Sequence, residues 1–153
     1  MTIPSALALE LEPVRALLEE TATLTLATRS ADGTPRATPL YFAADPALRL
    51  IFLSDPRSTH SLNADRDGQA SVALYPEEVD WRRLRGLQMQ GIVERLEGPQ
   101  ADAARGVFAH RFTFIGQLAE ALAASATYAF RPTWIRLIDN RRGFGFQQEW
   151  SLG

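Results

Sequence analysis

Leu48-Arg-Leu-Ile-Phe-Leu-Ser-Asp-Pro-Arg-Ser-Thr-His-Ser-Leu62 is the stretch on which the reading of this chain turns. Its first half, Leu48 to Ser54, is a short run of branched and aromatic residues that reads as a strand. At Asp55 the character changes. Asp55 or Ser58 suits a helix cap, Pro56 is permitted in a first turn, and the helix so begun runs to about Arg66 before Asp67-Gly68 breaks it. A helix start presents unpaired backbone N–H groups and a partial positive charge, which suits a phosphate. Here it comes with Arg57 for a charge-assisted contact, the hydroxyls of Ser58 and Thr59, and an N–H of His60 in either tautomer. The same residues also read as an ordinary capped helix with solvated side chains.

Outward from this junction the chain is rich in hairpins. Upstream, Leu7 to Glu20 carries Leu9, Val14, Leu17 and Leu18 at helical spacing and predicts an amphipathic helix interrupted near Pro13. Thr21 to Thr28 and Arg36 to Phe42 read as the arms of a β-hairpin, with Gly33 supplying a positive φ in the Ser30–Pro35 turn; a second turn follows at Ala44–Pro46. Downstream, Gln69 to Tyr75 is a fourth strand. Glu77 to Arg85 is a polar loop and Leu87 to Leu96 a fifth strand. Helical segments at Gln100–Arg111 and Phe114–Ala124 precede strands near Thr127–Ile138 and Phe144–Trp150, joined by Asn140-Arg-Arg-Gly143. Strands do not alternate regularly with long helices, so a parallel doubly wound sheet is excluded and an antiparallel barrel with peripheral helices, an α+β fold, is predicted.

A chain of 153 residues, 46% hydrophobic, makes one domain, 1–153. No apolar run approaches the roughly 20 residues of a membrane span. The N-terminus is acidic where a secretory signal would be basic, so a soluble cytoplasmic protein is expected with no membrane partner. With a net charge of −2 and arginines spread along the chain, no nucleic-acid partner is expected. There is no cysteine, and all 16 basic residues are arginine. That removes disulfides, thiolate metal sites, cysteine nucleophiles, Schiff-base lysines and phosphate-loop lysines. Two histidines, His60 and His110, do not complete a three-ligand catalytic zinc site, and no metal is expected. Any chemistry falls to a borrowed cofactor.

Three further features bear on a site. Pro39 lies within a strand pattern although it cannot donate to a ladder. It belongs at an edge or an interruption, where free carbonyls and amides suit the rim of a flat heterocycle, or at a bulge of a barrel corner. Gln88 and Gln90 share one strand face, as a pair of amides bracketing a polar ring or as plain solvent-facing surface. Arg82, Arg83 and Arg85 beside Trp81 are offset by Glu77, Glu78 and Asp80 and read as a solvated loop, and His110 reads as a packed helix histidine.

RATPLYF (36–42), LIFLSDPRSTHSL (50–62), DGQASVAL (67–74) and LQMQGIVERLEG (87–98) occur in an order and spacing that resemble the pyridoxamine 5′-phosphate oxidase-like, FMN-binding split-barrel proteins over residues 20 to 98. The tail IRLIDNRRGFGFQQEW (135–150) is similar to the closing strands of a small, largely uncharacterised branch. The resemblance implies a Greek-key split barrel and a homodimer with flavin mononucleotide (FMN) across its interface. The phosphate would sit in a turn that here matches Ser58, Thr59 and His60 beside Arg57, with Ser54 near it. Thr and His replace the usual Arg and Lys, leaving Arg57 as the full positive charge of the turn. The resemblance further implies that Thr38, Pro39, Leu40 and Tyr41 lie along the isoalloxazine, that Gln88 approaches it, and that Asp139, Asn140 and Phe144 approach from the tail. The comparable tail, Asn140–Gly145, lacks the histidine with which the oxidase holds its substrate, so pyridoxal phosphate synthesis is not implied. The leading expectation is an FMN-dependent oxidoreductase for an unidentified small molecule, with no residue standing out as catalytic acid or base. The alternatives are a non-catalytic flavin or haem carrier or sensor, and a ligand-free structural dimer.

Overall fold

The computed structural model describes residues 2–153. Alternation of buried and exposed residues in Thr23–Arg29 (β1) and a turn closed by Gly33 at φ 88° give the first hairpin with Pro35–Tyr41 (β2). Phe42 bends the chain, and Ala43–Ala44 (β3) continues it to pair with Leu50–Ser54 (β4). After Thr59–Asp67 (α3) come Gln69–Leu74 (β5), Arg85–Leu96 (β6) and Ala126–Asp139 (β7) as an antiparallel meander.

The sheet runs β2-β1-β5-β6-β7-β4-β3, antiparallel throughout. One flank of β7 is shared, its first half pairing with β4 and its second with Gln147–Ser151 (β8). Because β2 and β3 are two halves of one bent strand, bonded to β1 on one side and β4 on the other, the sheet curls back on itself as an antiparallel split barrel with flanking helices.

Leu50 and Phe52 point into the barrel beside Tyr128 and Phe130, whereas Ile51 packs outward with Ala129 against Phe108 and Phe112 of Gly98–Arg111 (α4). β4 is buried on both faces, which is why its sequence is a continuous apolar run without alternation. The N-terminal segment forms two helices, Ser5–Glu10 (α1) and Glu12–Glu20 (α2); Leu11 between them and Val14, Leu17 and Leu18 of α2 close one side of the barrel core.

Several boundaries differ from the sequence reading. The N-terminal helix breaks at Leu11 rather than Pro13, and Leu9 is 75% exposed instead of sharing the apolar face. The third strand begins at Leu50, because Leu48 takes a positive φ of 63° in a turn where Asp45 Oδ1 accepts the N–H groups of Ala47 and Arg49. Ser58 is the cap of α3, so Pro56 precedes the helix rather than entering its first turn. The expected helix at Phe114–Ala124 is a 3₁₀ turn, Thr113–Gly116, followed by Ala119–Leu122 (α5). Phe144 lies outside β8, since Gly143 and Gly145 turn the chain at φ 127° and 74°. His110 is exposed rather than packed.

Tyr128 is fully buried, stacked on Phe52 at 5.3 Å, and its hydroxyl has no hydrogen-bond partner. An orphaned buried hydroxyl is a stability cost. Tyr128→Phe is therefore expected to leave stability unchanged or raise it by about 1 kcal/mol in urea denaturation. A clear loss would show that the hydroxyl is satisfied.

Candidate functional site

The β4–α3 junction gathers four polar side chains. Ser54 Oγ, at the end of β4, lies 2.6 Å from His60 Nε2 and 3.3 Å from Ser58 Oγ. Ser58 Oγ is within hydrogen-bonding distance of the Asp55 carbonyl (2.7 Å) and of Ser61 Oγ (2.8 Å), and it accepts the Ser61 N–H. The chain folds this way because Ser58, extended at φ −64° and ψ 152°, turns β4 into α3 and caps it with its own hydroxyl. The first amides of α3, at Thr59 and His60, have no acceptor within the helix. Burial holds the pKa of His60 below its ordinary value. The neutral ring then accepts from Ser54 at Nε2 in one tautomer and donates there in the other.

Arg57 is not part of this cluster. Its side chain is 88% exposed and forks onto Asp55 at 2.9 and 3.1 Å, which holds the Asp55 carboxyl down to about 2. Thr59 is exposed at the first helical position. Together these residues make a donor-rich, nearly neutral cradle open to solvent.

β2 is at the end of the sheet path, so Pro39 removes no ladder bond beyond that with β1. It touches β4 where it bends into β3, bringing Thr38 to Tyr41 beside the junction. Thr38 and Leu40 face the barrel opposite Leu26 and Leu24, while Pro39 and Tyr41 face outward opposite Thr25 and Thr23. Tyr41, half exposed, packs its ring against Phe112 and Phe114 at 5.4 and 5.1 Å.

Two expected contributors stand elsewhere. Gln88 is exposed on β6, where its side-chain oxygen accepts from Arg136 Nη1 at 3.3 Å. β1 and β5 intervene between β6 and β2, about 14 Å of sheet. Asn140 follows the end of the 14-residue β7 whose beginning pairs with Ser54, about 40 Å of extended chain away. It is buried, donating Nδ2 to the Trp81 carbonyl (2.6 Å) and accepting the Gly145 N–H at Oδ1 (2.9 Å), so both ends of its amide are engaged in joining two loops. Asp139 likewise accepts from Arg141 at 3.0 Å. Those loops display an aromatic pair, Trp81 (60% exposed) and Phe144 (81% exposed), edge to face at 5.6 Å.

The sequence reading passed over Arg111. Its guanidinium reaches the carbonyls of Leu18 and Phe42 through Nη1 and those of Glu19 and Thr21 through Nη2, at 2.7 to 3.0 Å. No local pattern could announce a residue whose partners are some 70 to 90 positions away.

A family model described as pyridoxamine 5′-phosphate oxidase matches residues 11–139. UPF0306 protein YhbP of Salmonella schwarzengrund (strain CVM19633) is 30% identical over 101 residues, covering 66% of this chain and 65% of that protein, just under two thirds of the relative's length. Among solved structures, a heme binding protein from Mycobacterium smegmatis matches with TM-score 0.78 at 22% identity, over 99% of this chain and 60% of that one. A FAD-binding protein from Mesorhizobium loti matches with TM-score 0.68 at 19% identity, over 85% and 90%. At such identities the likeness is one of fold.

Proposed function

The chain belongs to the pyridoxamine 5′-phosphate oxidase family, and from that premise we propose that it is an FMN-binding oxidoreductase for a small molecule, working as a cytoplasmic homodimer with the flavin between subunits. The observation that carries this reading is the convergence of Ser54, Ser58 and His60 on the start of α3, directly beside β2. The hydroxyls of Ser54, Ser58 and Thr59, the His60 ring and the free amides of α3 are donors of the kind a phosphate monoester takes. Arg57 adds a full charge if it swings from Asp55, a short rotation for an exposed side chain.

The ring lies along Thr38 to Tyr41, where an outward proline leaves a flat edge. Gln88 of the same copy is too far to join it, which favours a second copy as the source of that amide. When bound, FMN accepts hydride or electrons at its ring. The residues of this chain hold the phosphate, lay the ring on β2 and exclude water from one of its faces.

Titration of the purified protein with FMN tests this. One flavin per chain is expected, with Arg57→Ala binding about tenfold more weakly through loss of a charge-assisted contact. Absence of FMN binding would overturn the reading. A Soret band on haem addition in a protein indifferent to FMN would replace it by a haem carrier, in keeping with the heme binding protein that shares this fold.

A further inference from the structure

A recess of about 600 Å³ opens where α1, the turn before β4, the middle of β7, the chain after β8 and α4 meet. Arg49 lines it just ahead of β4, whereas the Ser54 junction lies at the far end of that strand, about 13 Å further along. The two sites are separate. Small-molecule sites have volumes of roughly 300 to 1,000 Å³ and mostly apolar walls. Here Ile3, Leu7, Pro132 and Leu152 supply such walls. Ile3, Leu7 and Leu152 rest on the barrel core yet are only half buried, and α1 buries none of its residues fully. An apolar tail laid in the recess would take that surface out of water, which is the main driving force for binding there.

Two guanidiniums reach the same recess, and they are not equivalent. Arg49 is engaged, its Nε donating to Oδ2 of buried Asp45 at 2.8 Å. Among the described residues the Arg131 guanidinium donates no hydrogen bond, and the one carboxylate within 4 Å of it, Glu94, stands at 3.6 Å. Both members of that pair are partly wet, at 34% and 47% exposure, so the pair is loose. A planar fork of donors without an acceptor, beside an aliphatic wall, matches a ligand carboxylate that accepts from it bidentately. Among the described lining residues there is no aromatic ring to stack on a flat ligand, and no histidine, cysteine, methionine or tyrosine to ligate a haem iron. The tail that fits is therefore a flexible aliphatic one.

We propose that this recess binds a medium-chain aliphatic carboxylate, with its tail against Leu7 and Leu152 and its head on Arg131 in place of Glu94.

Titration calorimetry of the full chain with decanoate tests it, and one site per chain is expected. A buried methylene contributes about fourfold in affinity, so octanoate is expected to bind about tenfold more weakly. Decanol keeps the tail and loses the charge, and is also expected to bind about tenfold more weakly. Arg131→Gln is expected to lower decanoate affinity about tenfold while leaving decanol unchanged. Glu94→Gln removes the competing carboxylate and is expected to raise decanoate affinity severalfold. Both substitutions are on partly exposed side chains outside the core, and an unchanged thermal midpoint checks that each variant is folded. Decanoate failing to bind the parent protein, or binding the parent and Arg131→Gln alike, would overturn the inference. Because the recess is apart from the β4–α3 junction, neither outcome depends on the flavin reading.

Discussion

Arg111→Met is expected to lower the stability of the fold by about 4 kcal/mol in urea denaturation, the largest loss from any single surface-reaching side chain here. One guanidinium, at the last residue of α4, satisfies four carbonyls on two separate pieces of chain: the end of α2 with the residue that caps it, and the bend at Phe42. Helix-end carbonyls have no partner of their own, and a cation there also meets the negative end of the helix dipole. The guanidinium further lies over the rings of Phe42 and Phe112 at 5.1 and 5.2 Å. Methionine retains the stem and the packing, so the loss isolates the polar role. Arg111→Lys should recover only a minority of it, because an ammonium is a compact charge without the planar fork that spans four acceptors. A midpoint within error of the parent for Arg111→Met would show that water replaces the guanidinium at little cost.

Gly91→Ala is expected to cost about 3 kcal/mol, as for an overpacked core site with no room to relax. Gly91 is buried where the register of β6 on β7 shifts between Gln90 and Gly91. A β-carbon there would overlap the Arg131 carbonyl oxygen and stand 2.9 Å from Cζ of Phe130. The first of these is backbone of the neighbouring strand and cannot swing aside. Gly106, with open space around its would-be β-carbon, is the control: Gly106→Ala lies in the middle of α4 and should stabilise by up to about 1 kcal/mol through helix propensity. Equal effects of the two substitutions in thermal melts would rule out the steric account.

The barrel and the junction were legible because they are written in short-range patterns. Alternation in Thr23–Arg29, the apolar run before Ser54 and the capping serine at 58 each act on residues within a few positions. Phase was harder to read. Leu9 keeps the spacing of Val14 and Leu17, but the break at Leu11 rotates its helix and leaves it in water. The expectation of one helix over Phe114–Ala124 failed for a similar reason, with Gly116 and Gln117 ending a 3₁₀ turn before α5 begins. The proximity of Ser54, Ser58 and His60 at the candidate site was legible because strand and helix are contiguous. The roles of Asn140 and Arg111 were not, since both are defined by carbonyls and amides contributed from other loops. Gln88 marks the limit of a single chain, being placed correctly on its strand face yet distant from the strand it was expected to serve.

The passage of one strand through Phe42 from β1 to β4 also dictates where the molecule tolerates surgery. New termini cut at that bend would release two unpaired edges, the kind of surface through which sheets polymerise. Circular permutants and inserted reporter peptides belong at Asp32-Gly33 instead, a hairpin tip with open space around it, where an added loop leaves every ladder intact.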